Sequence, residues 1–407
     1  MAVRSVKGIR AKLTVGYAVR VGCRRGARGP APAVGHAGFG GMMLDIDGFR
    51  FGIEHEFAVI DDTNTFCDFT NTTFEQLDRV VERMPVFESD YPSLRVGDLG
   101  IKKKRWYIEG FERFASDGRY LRTDPKGFEI RTPICSSLGG AIDTLTADFE
   151  RWREVASEFG YRSARTSLNP FRSEYVPQPE LNEWEVAQRQ TPEEQTAYIH
   201  MLTYGPDISF SHPDMPVEQV IDIGRKLTFY SPYVVPFTFS SPFYEGRLWG
   251  GYSRRTFYRT GPRPSVLVHV GRERDLVPSF PTLTDRARLP AEVGRIEFKA
   301  FDCVADLAAY RALGTLLLGL ALDETLPGRA LVPDEALHRR SATVGFDDDD
   351  IRVPAGRVIR AALEALPTEL RPLLEPLREM LESRRTPAHA MIDAFRESGD
   401  VVRAVES

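Results

Sequence analysis

Apolar and polar residues alternate most regularly over residues 51–59, and this period of two predicts a β-strand. One face of the strand would be apolar or aromatic, whereas the other would carry Glu54 and Glu56. Two like charges so close repel each other, and burying them is costly unless a cation or a basic side chain lies between them. The pattern therefore predicts either a carboxylate site for a hard divalent ion such as Mg²⁺ or an edge strand with two solvated glutamates.

Two further segments place charge on one face of a predicted strand. Glu129 and Arg131 share a face in the first segment, and Glu297 and Lys299 share a face in the second. Charges on the inner face of a sheet require a ligand or mutual pairing to compensate them. Two interpretations follow: an internal salt-bridge network, or a concave face that holds metal ions, nucleotide phosphates and a carboxylate substrate.

Longer apolar periods predict helices around these strands. The predicted helices cover residues 75–84, 136–159, 193–202, 217–235 and 305–324, and most of the chain after residue 334. A further strand is predicted over residues 160–168, and the Asp-Pro-Lys-Gly sequence at residues 124–127 predicts a turn ahead of Glu129. His55 and His269 lie in apolar alternation, which favours histidines satisfied inside the core.

Residues 1–44 differ in composition from the rest of the chain. They contain eight Lys or Arg residues, no acidic residue and many Gly, Ala and Pro residues. A basic, acid-free leader is typical of targeting peptides, but this one lacks a clean apolar region and a convincing cleavage site. We expect disorder, or a start codon placed upstream of a true beginning near Met42 or Met43.

Composition excludes several classes of function. The 407 residues are 42% hydrophobic and 27% charged, as in ordinary soluble globular proteins, and the net charge of −5 provides no basic field for nucleic acid. The most apolar run, residues 307–322, is interrupted by charge and is too short for a membrane span. Four scattered cysteines without paired spacing favour a reducing cytoplasm over a disulfide framework.

Familiar catalytic signatures are missing from the sequence. It has no GxxxxGK[ST] phosphate loop, no HExxH zinc motif and no GxSxG nucleophile elbow. A metal-dependent hydrolase that uses the same carboxylates lacks a supporting nucleophile or base. The irregular stretch at residues 240–256 is rich in Gly, Ser, Arg and aromatic residues, which is typical of a functional loop.

Five short motifs together resemble the glutamate–cysteine ligase type 2, or carboxylate–amine ligase, family. They are GIEHEF at 52–57, FEIRTPIC at 128–135, NPF at 169–171, SSPFYEGR at 240–247 with Tyr252 and Arg254 after it, and RIEFK at 295–299. Each motif is weak alone, but all five occur in the family's order over residues 50–320.

The resemblance implies a glutamine-synthetase-like α+β fold, with a curved, mostly antiparallel sheet forming a funnel and helices packed outside. The ligase domain would cover residues 45–330, and residues 331–407 would form a helical extension packed on it. The implied activity is ATP- and Mg²⁺-dependent joining of a carboxylate, such as the γ-carboxyl of glutamate, to an amine such as cysteine through an acyl phosphate. Small-molecule substrates are therefore the expected partners, with no membrane or nucleic acid, and a homo-oligomer is left open.

The resemblance also implies roles for individual residues. Metal ligands would be Glu54, Glu56 and Glu297; catalytic residues would be Arg131, Lys299 and Arg247; cofactor-binding residues would be Glu129, Arg254, Tyr252 and Ser209.

One departure from the family pattern concerns the strand after the middle helix. The family usually has H-[VI]-H-[VI] there, whereas this chain has Asp207 and Ser209 in place of the two histidines. The replacement implies altered nucleotide or amine contacts, or a protein that binds without turnover. A non-catalytic scaffold is thus the rival hypothesis, and the retained strand glutamates and Lys299 argue against it.

Overall fold

The computed structural model describes residues 44–95 and 103–406. Apart from Leu44, the predicted leader lies outside the described residues. The strands are β1 (Arg50–Ile60), β2 (Phe66–Cys67), β3 (Trp106–Phe114), β4 (Tyr120–Arg131), β5 (Arg162–Ala164), β6 (Pro206–Ser211), β7 (Phe243–Tyr244), β8 (Arg247–Leu248), β9 (Val266–Val270), β10 (Thr284–Arg286) and β11 (Ile296–Phe298).

One mixed sheet organises the described residues. Its strands follow the order β10-β9-β11-β6-β1-β4-β3, and β2 and β5 pair with the end of β1. All neighbours are antiparallel except β9 and β10. The sheet curls into a half-barrel, and its central strand is the one with the clearest alternation in the sequence.

The helices lie on the apolar side of this sheet and beyond it. They are α1 (Phe74–Glu82), α2 (Leu138–Glu158), α3 (Glu183–Ala187), α4 (Pro192–Gln195), α5 (Ala197–His200), α6 (Val217–Val234), α7 (Arg254–Arg259), α8 (Ala309–Leu322), α9 (Glu335–Val344), α10 (Asp349–Ala365), α11 (Glu375–Ser383), α12 (Pro387–Ser398) and α13 (Val401–Ala404). The long helices predicted from periodicity, α2, α6 and α8, are confirmed within a few residues of their predicted ends.

The apolar face of β1 packs on α2 and α8. The Phe57 ring lies 4.5 Å from Trp152 and 5.1 Å from Phe149, measured between ring centroids. His55 is buried beside them, and its Nδ1 lies 2.9 Å from the Tyr310 hydroxyl. Burial lowers the pKa of His55 to about 4, so this histidine is the satisfied core residue that the alternation predicted.

Three local predictions differ from the structure. Residues 124–127 do not form a turn: they continue β4, and Pro125 lies opposite Gly110 beside a bulge, where the ladder needs no proline N–H. The helix predicted over 193–202 is divided into α4 and α5, and the strand predicted over 160–168 is limited to β5.

The C-terminal helices pack against the same core. Helix α10 contacts α6 and α8, and the chain end beyond α13 returns to the sheet, where the Arg165 amide donates to the Val405 carbonyl at 2.6 Å. None of the described helices combines the length and the apolar character needed to cross a membrane.

Candidate active site

The face of the sheet opposite the long helices α2, α6 and α8 carries the predicted charges. Glu54 pairs with Arg131 of β4 on one side and with Asp207 of β6 on the other. Glu56 lies directly opposite Glu129 in the β1–β4 ladder. Like charges opposite each other destabilise an antiparallel pair, so the register itself calls for compensating cations.

A first group of residues, here the Lys126 cluster, surrounds a buried ammonium. Lys126 Nζ lies 3.0 Å from Glu56 Oε2 and 3.1 Å from His200 Nδ1. His200 Nε2 in turn lies 2.6 Å from Glu109 Oε2. Burial opposes the charge on Glu56, but Lys126 and His200 outweigh it and lower the pKa of this carboxyl.

A second group, here the Lys299 cluster, lies across β1, β6 and β11. Lys299 Nζ lies 2.6 Å from Glu297 Oε1 and donates a short hydrogen bond to Asp207. Arg295 Nη2 lies 3.4 Å from Glu297 Oε2, and its Nη1 lies 3.9 Å from Glu54 Oε1. Burial opposes the charge on Glu297, yet Lys299 and Arg295 hold the pKa of its carboxyl well below its usual range.

His269 differs from its prediction. It is buried, but on the charged face, where its Nε2 lies 2.9 Å from Glu297 Oε2 and its Nδ1 has no hydrogen-bond partner among the described residues. Two-residue alternation in β9 places it on the same side as Leu267, which pairs with Glu297.

Glu129 lies on the charged face near both clusters and is poorly compensated. It is 4% exposed, and its Oε1 has no hydrogen-bond partner among the described residues. Burial raises the pKa of its carboxyl well above the usual range, and the charges of Glu109, Glu54 and Glu56 raise it further. An orphaned carboxylate oxygen among other carboxylates fits a divalent ion, whose preferred ligands are oxygens.

Three arginines from α7 and the turn after it form a basic group, in which Arg255 and Arg259 are buried and Arg263 is partly buried. Arg255 lies against the backbone at Gly205, where a Cβ would overlap its guanidinium, and the Gly205 amide donates to Glu56 Oε2 at 3.1 Å. Arg259 and Arg263 donate to backbone carbonyls, and no carboxylate of the described residues lies within ion-pair distance of either.

The electrostatics of these arginines favour an anion beside them. Burial, together with the neighbouring positive charges of Arg255 and Arg263, lowers the pKa of Arg259 to about 9. The charges of Asp207 and Glu56 reach Arg259 and Arg263, so the basic group lies near the carboxylate face. A phosphate or carboxylate ligand would compensate the guanidinium groups of Arg259 and Arg263, whereas Arg255 already lies 3.7 Å from Asp302 Oδ1.

Two more predicted residues lie on the charged face. Arg131 stacks over the Tyr107 ring at 4.6 Å and donates to the carbonyls of Lys104 and Arg95. Ser209 is buried, and its hydroxyl has no hydrogen-bond partner among the described residues.

Three predicted residues lie elsewhere. The Arg247 side chain is 75% exposed on the β7–β8 ribbon and contacts Glu245. Tyr252 donates to Asp347 and stacks on His389 of α12 at 4.6 Å. Arg254 is surrounded by the rings of Tyr244, Trp249 and Phe257.

Several residues of the face were not identified from the sequence. They are Glu109, Lys126, His200, Arg255, Arg259 and Arg263. Glu109 follows the alternation of β3 and shares a face with Tyr107, so strand parity contained a signal for it. Lys126 stood in a segment interpreted as a turn, and His200 comes from a short helix whose position depends on tertiary packing.

Comparison with known sequences identifies the family. Residues 50–277, more than half of the chain, match the family described as Glutamate-cysteine ligase family 2 (GCS2). The protein is a member of glutamate-cysteine ligase family 2. The matched range contains β1, β4, β6 and α7 of the site, while Glu297 and Lys299 lie beyond it. No curated protein gives a significant match to the sequence.

Solved structures of similar fold include two enzymes. Glutamate–cysteine ligase from Francisella tularensis, solved in complex with AMP, gives a TM-score of 0.50 at 10% identity, covering 87% of this chain and 86% of that one. A bifunctional glutathione synthetase from Pasteurella multocida gives a TM-score of 0.53 at 13% identity, covering 88% of this chain and 52% of that one. These likenesses confirm the predicted glutamine-synthetase-like α+β fold of the family 2 chain.

Proposed function

We propose that this family 2 protein is an ATP- and Mg²⁺-dependent carboxylate–amine ligase. It would join the γ-carboxyl of glutamate, or of a similar acid, to an amine such as cysteine. The observation that carries the proposal is the opposition of a carboxylate face and two arginines, Arg259 and Arg263, that have no carboxylate of the described residues within ion-pair distance. The F. tularensis enzyme of similar fold was solved with AMP, which supports nucleotide binding by this chain.

The chemistry assigns the two sides of the site to different charges. The γ-phosphoryl group passes from ATP to a carboxylate oxygen of the acid, the bond between this phosphorus and ADP breaks, and an acyl phosphate forms. The amine then attacks the acyl carbon, loses a proton and expels inorganic phosphate. Arg259 and Arg263 would supply positive charge beside the phosphoryl group, and the burial of Arg259 would strengthen that interaction, while Arg255 is paired with Asp302.

Glu54, Glu56 and Glu129 are the residues that would hold Mg²⁺ in this proposal. Their oxygens suit the ion, and the unpartnered Glu129 Oε1 is the atom that most needs it. A bound Mg²⁺ would neutralise phosphate charge and orient the triphosphate. Glu297, also predicted as a metal ligand, is assigned to anchoring Lys299, which stays a phosphate-contacting candidate together with Arg131.

The other predicted binding residues are assigned by where they lie. Ser209, buried with a free hydroxyl, is proposed to contact the nucleotide or the amine in place of the family histidine. Arg247, Tyr252 and Arg254 are left out of the proposed first contacts because their side chains are engaged elsewhere. Free Cys67, Cys135 and Cys303 accord with a reducing compartment, and we place the reaction in the cytoplasm.

The test is ADP release by the purified chain with Mg²⁺-ATP, glutamate and a panel of amines. We expect release that requires both the acid and the amine, since neither half-reaction completes a turnover alone. Glu54→Gln should abolish it, because this change removes a carboxylate charge at nearly constant size. Glu150→Gln on the exposed surface of α2 is the matched control and should retain full activity.

The non-catalytic alternative is separated by a second measurement on the same samples. A scaffold that has kept the site would gain thermal stability from Mg²⁺-ATP by mass action but release no ADP with any acid and amine. The absence of both stabilisation at millimolar nucleotide and ADP release would rule out the ligase proposal.

A further inference from the structure

We propose that Lys126 and Lys299 are the resident cations of the two carboxylate clusters, and that neither cluster holds a divalent ion until nucleotide binds. This inference rests on the proposed function, because it concerns the ions of the same site. In each cluster, a lysine ammonium takes the position that a metal ion would otherwise occupy between the carboxylates.

The Lys126 ammonium contacts two of the three potential metal ligands of its cluster. The three residues Glu56, Glu109 and His200 offer ligand atoms that lie within 4.8 Å of one another, which is the spacing of a metal site. Lys126 Nζ already contacts two of these residues, at 3.0 Å from Glu56 Oε2 and 3.1 Å from His200 Nδ1. An ion bound by the same two atoms would lie against the ammonium, and the two cations would repel each other.

Backbone contacts fix Lys126 in this place. Its side chain is fully buried, and Nζ also donates to the carbonyls of Thr203 at 2.9 Å and His200 at 3.2 Å. The ammonium therefore has four polar partners for its three hydrogens. A group held on all sides by the chain is a structural counter-ion, not a surface lysine that happens to lie near an acid.

Lys299 has the same relation to the second cluster. Glu54, Asp207 and Glu297 also offer ligand atoms within 4.8 Å of one another. Lys299 Nζ contacts two of the three carboxylates, Asp207 and Glu297. This cluster stands where the family pattern has histidines, and a carboxylate at position 207 provides a direct ion-pair partner for the ammonium.

Counting charge explains why a nucleotide is needed. In the first cluster two carboxylates face one ammonium, and in the second three carboxylates face Lys299 and Arg295. At most one negative charge remains in each cluster, because Lys126 offsets one of the two carboxylates in the first, and in the second burial raises the pKa of Asp207 to about 8. A single residual charge holds a bare divalent ion weakly, but it suits an ion that arrives already bound to a triphosphate.

The test counts Mn²⁺ ions bound to the full-length, chelator-stripped protein without nucleotide, by electron paramagnetic resonance of the free ion. We expect Lys126→Met to bind one ion more than wild type, Lys299→Met to bind one ion more, and the double variant two more. Adding Glu109→Gln to Lys126→Met should remove the gain. Lys103→Met is the matched control and should bind as wild type, because the partners of its ammonium among the described residues are the carbonyls of Glu82 and Met84.

The wild-type protein supplies a second measurement that does not depend on whether Lys126→Met folds. Anomalous diffraction from Mn²⁺-soaked, nucleotide-free crystals should show no ion at either cluster. A peak at either one, or lysine variants that bind no more Mn²⁺ than wild type, would overturn the inference. Neither count requires turnover, so a failed ligase assay leaves this test intact, and a failed ion count leaves the ligase assay intact.

Discussion

At the scale of single residues, the balance of charge on the sheet face decides which groups can act. Glu129 is buried among other carboxylates with one oxygen unpartnered, and its raised pKa favours the protonated acid in the absence of a cation. Lys126 and Lys299, in contrast, already neutralise their neighbours. Glu129 is therefore the carboxylate of this face whose state depends most on a ligand.

Glu129→Gln should separate stability from activity. Because Gln resembles the protonated acid in shape, we expect the free energy of unfolding without metal to change by less than about 1 kcal/mol. Activity should fall on the order of 100-fold, because a neutral amide cannot help to hold the cation that offsets phosphate charge. Thermal unfolding and ADP release with Mg²⁺-ATP measure the two effects, and Glu245→Gln on the surface is the control. Equal losses of stability and activity would contradict this assignment.

A second residue-scale prediction concerns pH. His338 is fully buried, with Nε2 2.9 Å from the Ser231 hydroxyl, and burial lowers its pKa to about 4. The unfolded chain takes up this proton near pH 6.5, whereas the folded chain does so only near pH 4, so folding is progressively opposed as the pH falls between these values. We expect the free energy of unfolding to fall by about 3 kcal/mol as the pH falls through this window.

The variant His338→Gln removes the titrating group. Its stability at pH 7 should be lower than that of wild type, but its decline between pH 6.5 and pH 4 should be shallower. Chemical denaturation at a series of pH values measures this difference. Parallel curves for the two proteins would show that other groups cause the acid lability.

At the scale of elements, close helix contacts set which substitutions are tolerated. Gly319 of α8 packs on α10 so closely that a Cβ would lie 2.7 Å from the Cβ of Ala362 and 3.0 Å from its Cα. Gly356 of α10 has room, since the nearest neighbour of an added Cβ is a Leu381 methyl at 3.5 Å. The same substitution at the two positions therefore tests the packing of α8 and α10.

We expect Gly319→Ala to destabilise the protein by about 1–3 kcal/mol, because the helices must separate or the backbone must shift. Gly356→Ala should be neutral or stabilising by roughly 0.5–1 kcal/mol, since alanine loses less conformational entropy on folding than glycine. Urea denaturation of both variants compares them directly. A loss of similar size at both positions would indicate that helix propensity, not the α8–α10 contact, is being measured.

Elements with a strong period were predictable, and those decided by tertiary contacts were not. The alternation of β1 and the stripes of α2 and α6 result from local burial, which the sequence records directly. The proline inside β4 indicates a turn by every local rule, yet a bulge opposite Gly110 accommodates it. That misassigned segment contains Lys126, which is why the cation of the first cluster was missed.

The same distinction holds for the site. Strand parity placed Glu54, Glu56, Glu129, Arg131, Glu297 and Lys299 on one face, and the structure has them there. It did not reveal which arginine of the 254–255 pair turns inward, because the choice depends on how the short α7 docks. Arg254 packs in an aromatic pocket and Arg255 lies against the backbone at Gly205.

At the scale of the whole molecule, the end of the chain is joined to the sheet. Beyond α13, Val405 is fully buried and its carbonyl accepts a hydrogen bond from the Arg165 amide. The next residue, Glu406, forms a β-bridge with Ala164, the last residue of β5. The C-terminal residues thus lie beside β5, which pairs with the end of β1 that follows its glutamates. Their removal should affect the stability of the described unit as a whole.

Val405→Ala should lower the free energy of unfolding by about 2 kcal/mol, through lost apolar burial and the cavity left behind. Val402→Ala, at a half-buried position of the same turn, is the matched control and should cost less than about 1 kcal/mol. Circular dichroism and tryptophan fluorescence should report the same midpoint for each variant. Two separate transitions would show that the C-terminal helices unfold independently.

The buried ammonium groups also affect how the newly made chain folds. A face that holds five glutamates would ordinarily resist assembly until an ion had been captured from the surroundings. Here Lys126 lies in the same strand as Glu129 and reaches Glu56 across the β1–β4 ladder, so the chain brings its own counter-charge as the strands meet. We therefore expect the newly made protein to fold without magnesium, in the presence of a chelator or in a magnesium-depleted cell, before it binds nucleotide.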